Sequence, residues 1–150
     1  MKITDALYGE HGTLYALFEH LERSAADWEL ADLLLAGRLL ETALLSHARI
    51  EDELLFSALD SHLPVGGPVA VMRAEHDEID AFLAGLREAQ DESTARRNLV
   101  HAVATARDHF GKEEAVLFPL AEQVLGSAEL ERLAESWAER RGVAVAIATR

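Results

Sequence analysis

A duplicated pattern of histidine and glutamate constrains this chain more than any other feature. A lone histidine is followed by an H-x-x-x-E segment, and the same order then occurs a second time. Residues four apart in an α-helix lie on one face, so each H-x-x-x-E segment can direct an imidazole and a carboxylate at one point. The pattern therefore predicts helices that chelate a metal ion. The six candidate ligands are His11, His47, Glu51, His76, His109 and Glu113.

The two halves of the chain match in more than these six residues. A glutamate precedes each lone histidine, and a phenylalanine follows the histidine of each H-x-x-x-E segment by nine residues. The intervals are almost equal, with 65 residues from His11 to His76 and 62 from His47 to His109. We therefore expect two similar helical hairpins.

Helical periodicity runs through the chain, and no segment shows the alternation typical of a strand. We predict an all-α fold, an up-down-up-down four-helix bundle with a short fifth C-terminal helix. Pro64 and Pro68, with two glycines between them, separate the hairpins. Pro119 is expected to kink the fourth helix or to mark its irregular end. The predicted helices span about 4–23, 27–61, 68–90, 93–125 and 127–142.

The spacing of apolar residues identifies the buried face of each helix, and all six candidate ligands fall on these faces. Burying four imidazoles and two carboxylates costs on the order of several kcal/mol for each unpaired charge, which a bound cation would compensate. The remaining histidines, His20, His62 and His101, lie off the buried faces. Towards the ends of the second and fourth helices, the same spacing predicts burial of Leu54, Ala58, Val116 and Leu120.

A single H-x-x-x-E segment is more often a surface ion pair than a metal site. Here two such segments lie on buried faces, at matching repeat positions, and each has a matching histidine on another helix. This conjunction favours one shared metal site. Neighbouring carboxylates are interpreted as solvated groups or as outer partners of the ligands, namely Glu10, Asp52, Glu53, Glu75 and Glu114.

Length and charge restrict the functional classes. A chain of 150 residues fits a single domain over 1–150, with the bundle over about 4–125. The 14 basic and 27 acidic residues give a net charge of −13, which disfavours nucleic acid and membrane surfaces as partners. Cysteine is absent, which excludes disulfides and thiolate ligands.

The two ends of the sequence add expectations about location and assembly. The N-terminal segment, residues 1–5, lacks the apolar core of a signal peptide, so we expect a cytoplasmic protein. The apolar tail, residues 143–148, follows a glycine. It could cover the bundle or join two copies as a homodimer.

The motif set resembles that of the haemerythrin-like, or HHE cation-binding, family. The resemblance covers about residues 4–125 and includes the segment Glu113–Pro119 after the second ligand histidine. It implies a four-helix bundle that holds two iron ions joined by an oxo or hydroxo bridge. Glu51 and Glu113 would bridge the irons, and the four histidines would be terminal ligands. Imidazole with carboxylate suits iron, whereas magnesium or calcium would favour oxygen ligands alone.

One position departs from the family pattern. Oxygen-carrying haemerythrins have a further histidine one turn before the ligand that matches His76, and this chain has Met72 there. Because a thioether is a poor ligand for oxidised iron, one iron is expected to keep a position open to water, oxygen, peroxide or nitric oxide. Asp80, one turn after His76, or Tyr15, one turn after His11, could fill that position.

Three functions remain compatible with the sequence, and whether the protein is an enzyme stays open. The first is a non-haem di-iron protein that binds or senses oxygen or a related small ligand. The second is a di-iron enzyme that decomposes peroxide or oxidises iron, and the third is a helical interaction module with a structural metal. A ferritin-like oxidase is disfavoured because that fold uses E-x-x-H, and no histidine here follows a carboxylate by three residues.

Overall fold

A computed structural model of the chain describes residues 1–144. Within this range the chain contains helices and turns but no strand, and the helices pack as a bundle. The all-α class is confirmed, while the up-down-up-down order, the separate fifth helix and the single domain stay predictions. The apolar tail falls outside the described residues after position 144. The elements are α1 (Ile3–Ser24), a 3-10 helix (Ala25–Asp27), α2 (Leu30–Ile50), a first π segment (Glu51–Phe56), α3 (Ser57–Leu59), α4 (Pro68–Arg87), α5 (Glu92–Lys112), a second π segment (Glu113–Leu117) and α6 (Phe118–Arg141).

Local sequence accounts for the helix ends. Pro68 lies in the first turn of α4, where its missing N–H costs no helical hydrogen bond. At the start of α5, the Asp91 side chain accepts a hydrogen bond from the Thr94 backbone N–H. Gly142 ends α6 in the left-handed conformation, with φ of 64°.

After the second π segment, a single element, α6, extends from Phe118 to Arg141, where the sequence predicted a helix ending near 125 and another over about 127–142. Pro119 lies in the first turn of α6, directly after the π segment, rather than inside an α-helix. Non-helical backbone occurs instead at Gly126, where φ is 74° and ψ is 164°. This φ lies in the region that glycine adopts without a steric penalty. The residues after this break extend to Arg141.

The two π segments occur at equivalent places in the repeat, and each begins at a candidate glutamate ligand, Glu51 or Glu113. In a π segment the backbone hydrogen bonds span five residues instead of four, so the turn holds about one extra residue. The buried face is consequently displaced by one position beyond each glutamate.

This displacement corrects the predicted core. Val116, expected to be buried, is 57% exposed, whereas Leu117 is 1% exposed. Leu120 and Ala58 are only partly buried. The fully buried residues at the next positions are Ala121 and Leu59. The periodicity of an uninterrupted α-helix was therefore wrong after the two glutamates, although Leu54 is buried as predicted.

Two apolar clusters lie on either side of the candidate ligands. One cluster includes Leu14 and Phe18 of α1 with Leu83 of α4. The other includes Leu7 of α1 with Met72 of α4, together with residues of both π segments and α6. The long helices bury their apolar residues in these clusters, and among residues 1–144 none of them is apolar over a length that could span a membrane.

Candidate metal centre

The structure brings all six sequence-predicted ligands together in the interior. Their exposed fractions lie between 0 and 8%. Two groups of possible ligand atoms form, and within each group the atoms lie within 4.8 Å of one another. Glu51 and Glu113 belong to both groups, one of which adds His11 and His47 and the other His76 and His109.

The two glutamates face both groups. Glu51 Oε1 lies 3.0 Å from His47 Nε2, while Oε2 of the same carboxylate lies 3.4 Å from His76 Nε2. Glu113 Oε2 lies 3.3 Å from His11 Nε2, and its Oε1 lies 3.5 Å from His109 Nε2. Each carboxylate thus directs its two oxygens at two different histidine pairs. Such an arrangement can bridge two cations.

Unpaired polar atoms provide a test of whether a cation fits. Among the described residues, all four oxygens of Glu51 and Glu113 and the Nε2 atom of His109 are buried without a hydrogen-bond partner. The Nε2 atoms of His11 and His47 face each other at 3.0 Å. Donor atoms about 2.1 Å from a shared ion lie about 3.0 to 3.4 Å apart, close to the distances found here. The donor set therefore fits a cation in each group.

Outer carboxylates contact the other ring nitrogen, Nδ1, of every candidate histidine. His47 Nδ1 lies 2.7 Å from Glu10, and His109 Nδ1 lies 2.9 Å from Glu75. Such hydrogen bonds fix the tautomer and orientation of a ligand imidazole, so that Nε2 faces the metal. From the sequence, Glu10 and Glu75 could be either solvated groups or outer partners of the ligands. In the structure both are outer partners.

The other two histidines receive their outer carboxylates from the opposite half of the chain. His76 Nδ1 lies 3.3 Å from Asp52, and His11 Nδ1 lies 2.8 Å from Glu114. Asp52 and Glu114 each follow a central glutamate directly in the π segments. Two consecutive acids thus contact both nitrogens of one imidazole, and we attribute this placement to the wider π turn. Glu53 instead pairs with Arg140.

The protonation equilibria of the two central carboxylates differ. Burial and the nearby charge of Glu51 raise the pKa of Glu113 to about 8. Burial also acts to raise the pKa of Glu51, but the charge of His47 and the nearby His11 imidazole, with Nε2 at 3.6 Å, hold it well below the usual range. Without a cation, the two carboxylates therefore do not ionise together near neutral pH. A cation between them would allow both to be anionic.

The histidines also differ from one another. Burial lowers the pKa of His11, but the nearby carboxylates of Glu113 and Glu51, at 3.3 and 3.6 Å from Nε2, outweigh it and raise the value to about 9. For His109 the burial effect dominates and lowers the pKa to about 4. An imidazole with a low pKa keeps its Nε2 lone pair free for a metal ion.

A small cavity borders the centre, and its walls include His76 and His109 of one pair and His47 of the other. Its volume is about 10 Å³, and Asp80 and Phe110 contribute to its walls. Met72 does not line this cavity and packs in the apolar cluster on the other side. Asp80 can therefore approach a ligand in the cavity.

The remaining sequence candidates lie at the margin of the centre or away from it. The Tyr15 ring meets the edge of the His11 imidazole, with ring centroids 6.3 Å apart. His20 packs near Trp28 and His101 stacks on Phe82, so neither joins the centre.

Sequence reasoning missed two residues of α6. Trp137 and Arg141 donate hydrogen bonds to Glu10, the outer partner of His47. They occur more than 120 residues after Glu10, and no local motif connects them with it.

Comparison with known families supports the interpretation of the site. The family model described as Hemerythrin HHE cation binding domain matches residues 2–121. The resemblance inferred from the motifs is thereby confirmed. No curated protein and no solved structure gives a significant match. The match ends before the part of α6 that contains Trp137 and Arg141.

Proposed function

Because the chain belongs to the hemerythrin HHE cation-binding family, we propose that it is a non-haem di-iron protein. It would bind or sense oxygen or a related small ligand, such as peroxide or nitric oxide, at a carboxylate-bridged centre. His11 and His47 would hold one iron, His76 and His109 the other, and the two glutamates would bridge them.

One observation carries the proposal of two ions. Glu51 and Glu113 each divide their oxygens between the two histidine pairs, at 3.0 to 3.5 Å from the facing Nε2 atoms. A single ion would leave one oxygen of each carboxylate buried without a partner, at a cost of about 1 to 3 kcal/mol for each group. Two ions satisfy all four oxygens.

The chemistry of the donors supports iron. Neutral imidazoles with carboxylates suit iron better than magnesium or calcium, which prefer oxygen ligands alone. The carboxylates on Nδ1 make the imidazoles stronger donors.

The cavity supports a small ligand. Its volume of about 10 Å³ has room for roughly one water molecule, which suits a diatomic molecule or peroxide better than an organic substrate. When bound, a di-iron centre would supply reversible redox chemistry. The chain orients the imidazoles through their Nδ1 hydrogen bonds, and Phe110, stacked on the His11 ring at 3.9 Å, shields the interior from water.

A second candidate function, the decomposition of peroxide, is favoured by Asp80. This residue places a carboxylate beside the cavity that His76 and His109 line. A carboxylate there can accept a proton from peroxide and return it to the departing oxygen, as general acid–base chemistry requires. Met72 packs in the apolar cluster on the other side of the centre and does not fill this cavity.

Metal analysis combined with absorption spectroscopy tests the proposal. Protein isolated from iron-replete cells should carry close to two irons per chain. The visible spectrum of the protein, once reduced under anaerobic conditions, should change when oxygen, peroxide or nitric oxide is added. Catalysed loss of peroxide, compared with iron-free protein, would favour the enzyme. A bound metal that responds to none of these ligands would favour a structural role, and metal at background level would refute the proposal.

A further inference from the structure

We infer that the last turns of α6 are part of the metal centre, because Trp137 and Arg141 position the His47 imidazole through Glu10. The inference rests on the proposed function and extends it beyond residues 2–121, the part that the family model covers. Trp137 and Arg141 are positioning residues, since neither contacts a candidate metal ligand directly.

The contacts around Glu10 form a continuous chain. Glu10 Oε2 lies 2.7 Å from His47 Nδ1, so the carboxylate sets the rotation of the ring. Arg141 donates to both oxygens of Glu10, at 2.7 Å from Nε and 2.8 Å from Nη2. The Trp137 indole Nε1 donates to Oε1 at 2.6 Å. Three donors in fixed directions leave this carboxylate little freedom to turn.

Arg141 is itself fixed against α2, the helix that carries His47. Its Nη1 donates to the hydroxyl of Ser46 at 2.5 Å, and its Nη2 donates to the Ser46 backbone carbonyl at 3.2 Å. Ser46 directly precedes His47. The guanidinium therefore joins α1, α2 and α6 at the ligand histidine.

The equivalent position in the second half of the repeat lacks this support. There Glu75 contacts His109 Nδ1, and its other partner is the ammonium group of Lys112. The Lys112 side chain is 53% exposed and lies on α5, the helix that also carries His109. A flexible ammonium group restricts a carboxylate less than a guanidinium fork and an indole do. The sequence repeat is thus symmetric, whereas the support of its two ligand pairs is not.

This asymmetry predicts different retention of the two metal ions. The ion held by His11 and His47 should be released slowly because α6 fixes one of its ligands. The ion held by His76 and His109 has Glu75 as one of its outer carboxylates, which is held by the Lys112 ammonium group alone besides His109. Loss of the α6 contacts should accelerate release of the first ion and leave the second unchanged.

Metal release from the complete chain tests the inference. Protein loaded with two ferrous ions under anaerobic conditions would be mixed with a chelator, and the release of each ion followed over time. Trp137→Phe, which keeps an aromatic ring without the N–H, and Arg141→Gln should each speed the slow release phase several-fold, with the roughly 10- to 100-fold effect of losing the outer partner Glu10 itself as the upper limit. Arg141→Lys should restore part of the loss.

Two controls separate positioning from general stability. Arg140→Gln removes the neighbouring arginine of the same helix, whose partner Glu53 contacts no histidine, so the release rates should stay those of the unmodified protein. Lys112→Gln should change only the fast release phase, which corresponds to the ion held by His76 and His109. In cobalt-substituted protein, the Nδ1–H resonance of His47 should shift in Arg141→Gln and stay in place in Arg140→Gln.

The outcomes distinguish this inference from the proposed function. If the unmodified protein retains no metal, the proposed function fails and the inference fails with it. If it retains two ions but Trp137→Phe and Arg141→Gln release them at the unmodified rate, only the inference is overturned. Equal loss of thermal stability with and without metal, at an unchanged release rate, would show that α6 serves the fold alone.

Discussion

The substitution Glu113→Gln gives the sharpest test of the bridging arrangement. The side chain is fully buried, and within the described residues neither of its oxygens has a hydrogen-bond partner. Glutamine has almost the same shape, so the metal-free protein loses no hydrogen bond and no packing. Its amide nitrogen, however, cannot bind a cation, and the negative charge is lost. The substitution should therefore change the metal-bound state far more than the metal-free state.

The magnitude follows from binding linkage. With free metal at 100 times the dissociation constant, each ion stabilises the native state by about 2.7 kcal/mol, so two independent ions contribute about 5.4 kcal/mol. For a chain of this length, each kcal/mol of added stability raises the melting temperature by about 2 to 4 °C. Two bound ions should therefore raise it by roughly 10 to 20 °C. A 100-fold loss of affinity at both positions leaves about 0.4 kcal/mol for each ion, or roughly 2 to 3 °C in total.

Thermal unfolding followed by circular dichroism, with and without added iron(II) under anaerobic conditions, measures this difference. Glu53→Gln is the matched control, because Glu53 lies two residues after a candidate ligand but is exposed and faces Arg140. The Glu53→Gln variant should show the same metal-dependent rise in melting temperature as the unmodified protein. If Glu113→Gln also kept the full rise, the Glu113 oxygens would not bind the ions and the bridged centre would be refuted.

Three further predictions concern individual side chains. His109→Ala should lower the iron content, whereas His101→Ala should leave it unchanged; equal losses would contradict the face assignment of α5. Met72→His should add a ligand to the iron held by His76, from the side away from the cavity, and slow any peroxide turnover; unchanged kinetics would argue against an open position on that side. Gly37→Ala should destabilise the protein by about 1 to 3 kcal/mol in denaturant titrations, because its Cβ would lie 2.6 Å from a Leu86 methyl carbon. Gly9→Ala, with open space at the same atom, should show no such loss.

The six central residues could be predicted because two independent signals coincided. His11 and His76 were identified by the repeat and by their place on apolar helix faces, and a bundle that buries those faces must bring them together. The chemistry of each residue type then indicated a cation. No detail of side-chain geometry was needed for this step.

The register beyond the glutamates could not be predicted. Val116 is where an uninterrupted α-helix would bury a residue, yet the π segment exposes it and buries Leu117. The extra residue is accommodated because it lets Glu113 and Glu114 contact both nitrogens of His11, an interaction between distant helices. Periodicity within one helix carries no information about such a contact.

The roles of the acidic residues around the histidines could not be predicted from the sequence either. Asp52 and Glu53 are neighbours of similar chemistry, but Asp52 contacts His76 whereas Glu53 faces Arg140. The rotation of the backbone at the π turn separates them, and nothing in their identity does. Glu10 depends in the same way on Trp137, which is 127 residues distant in sequence.

The exchange of Asp52 and Glu114 between the halves has a consequence for the origin of the fold. Asp52, in the first hairpin, serves His76 in the second, and Glu114, in the second, serves His11 in the first. One hairpin alone would therefore lack an outer carboxylate and one of the two central glutamates. Two copies of an ancestral hairpin related by a twofold axis would have supplied both reciprocally, as an isologous interface does. With both hairpins in one chain, metal uptake does not depend on protein concentration.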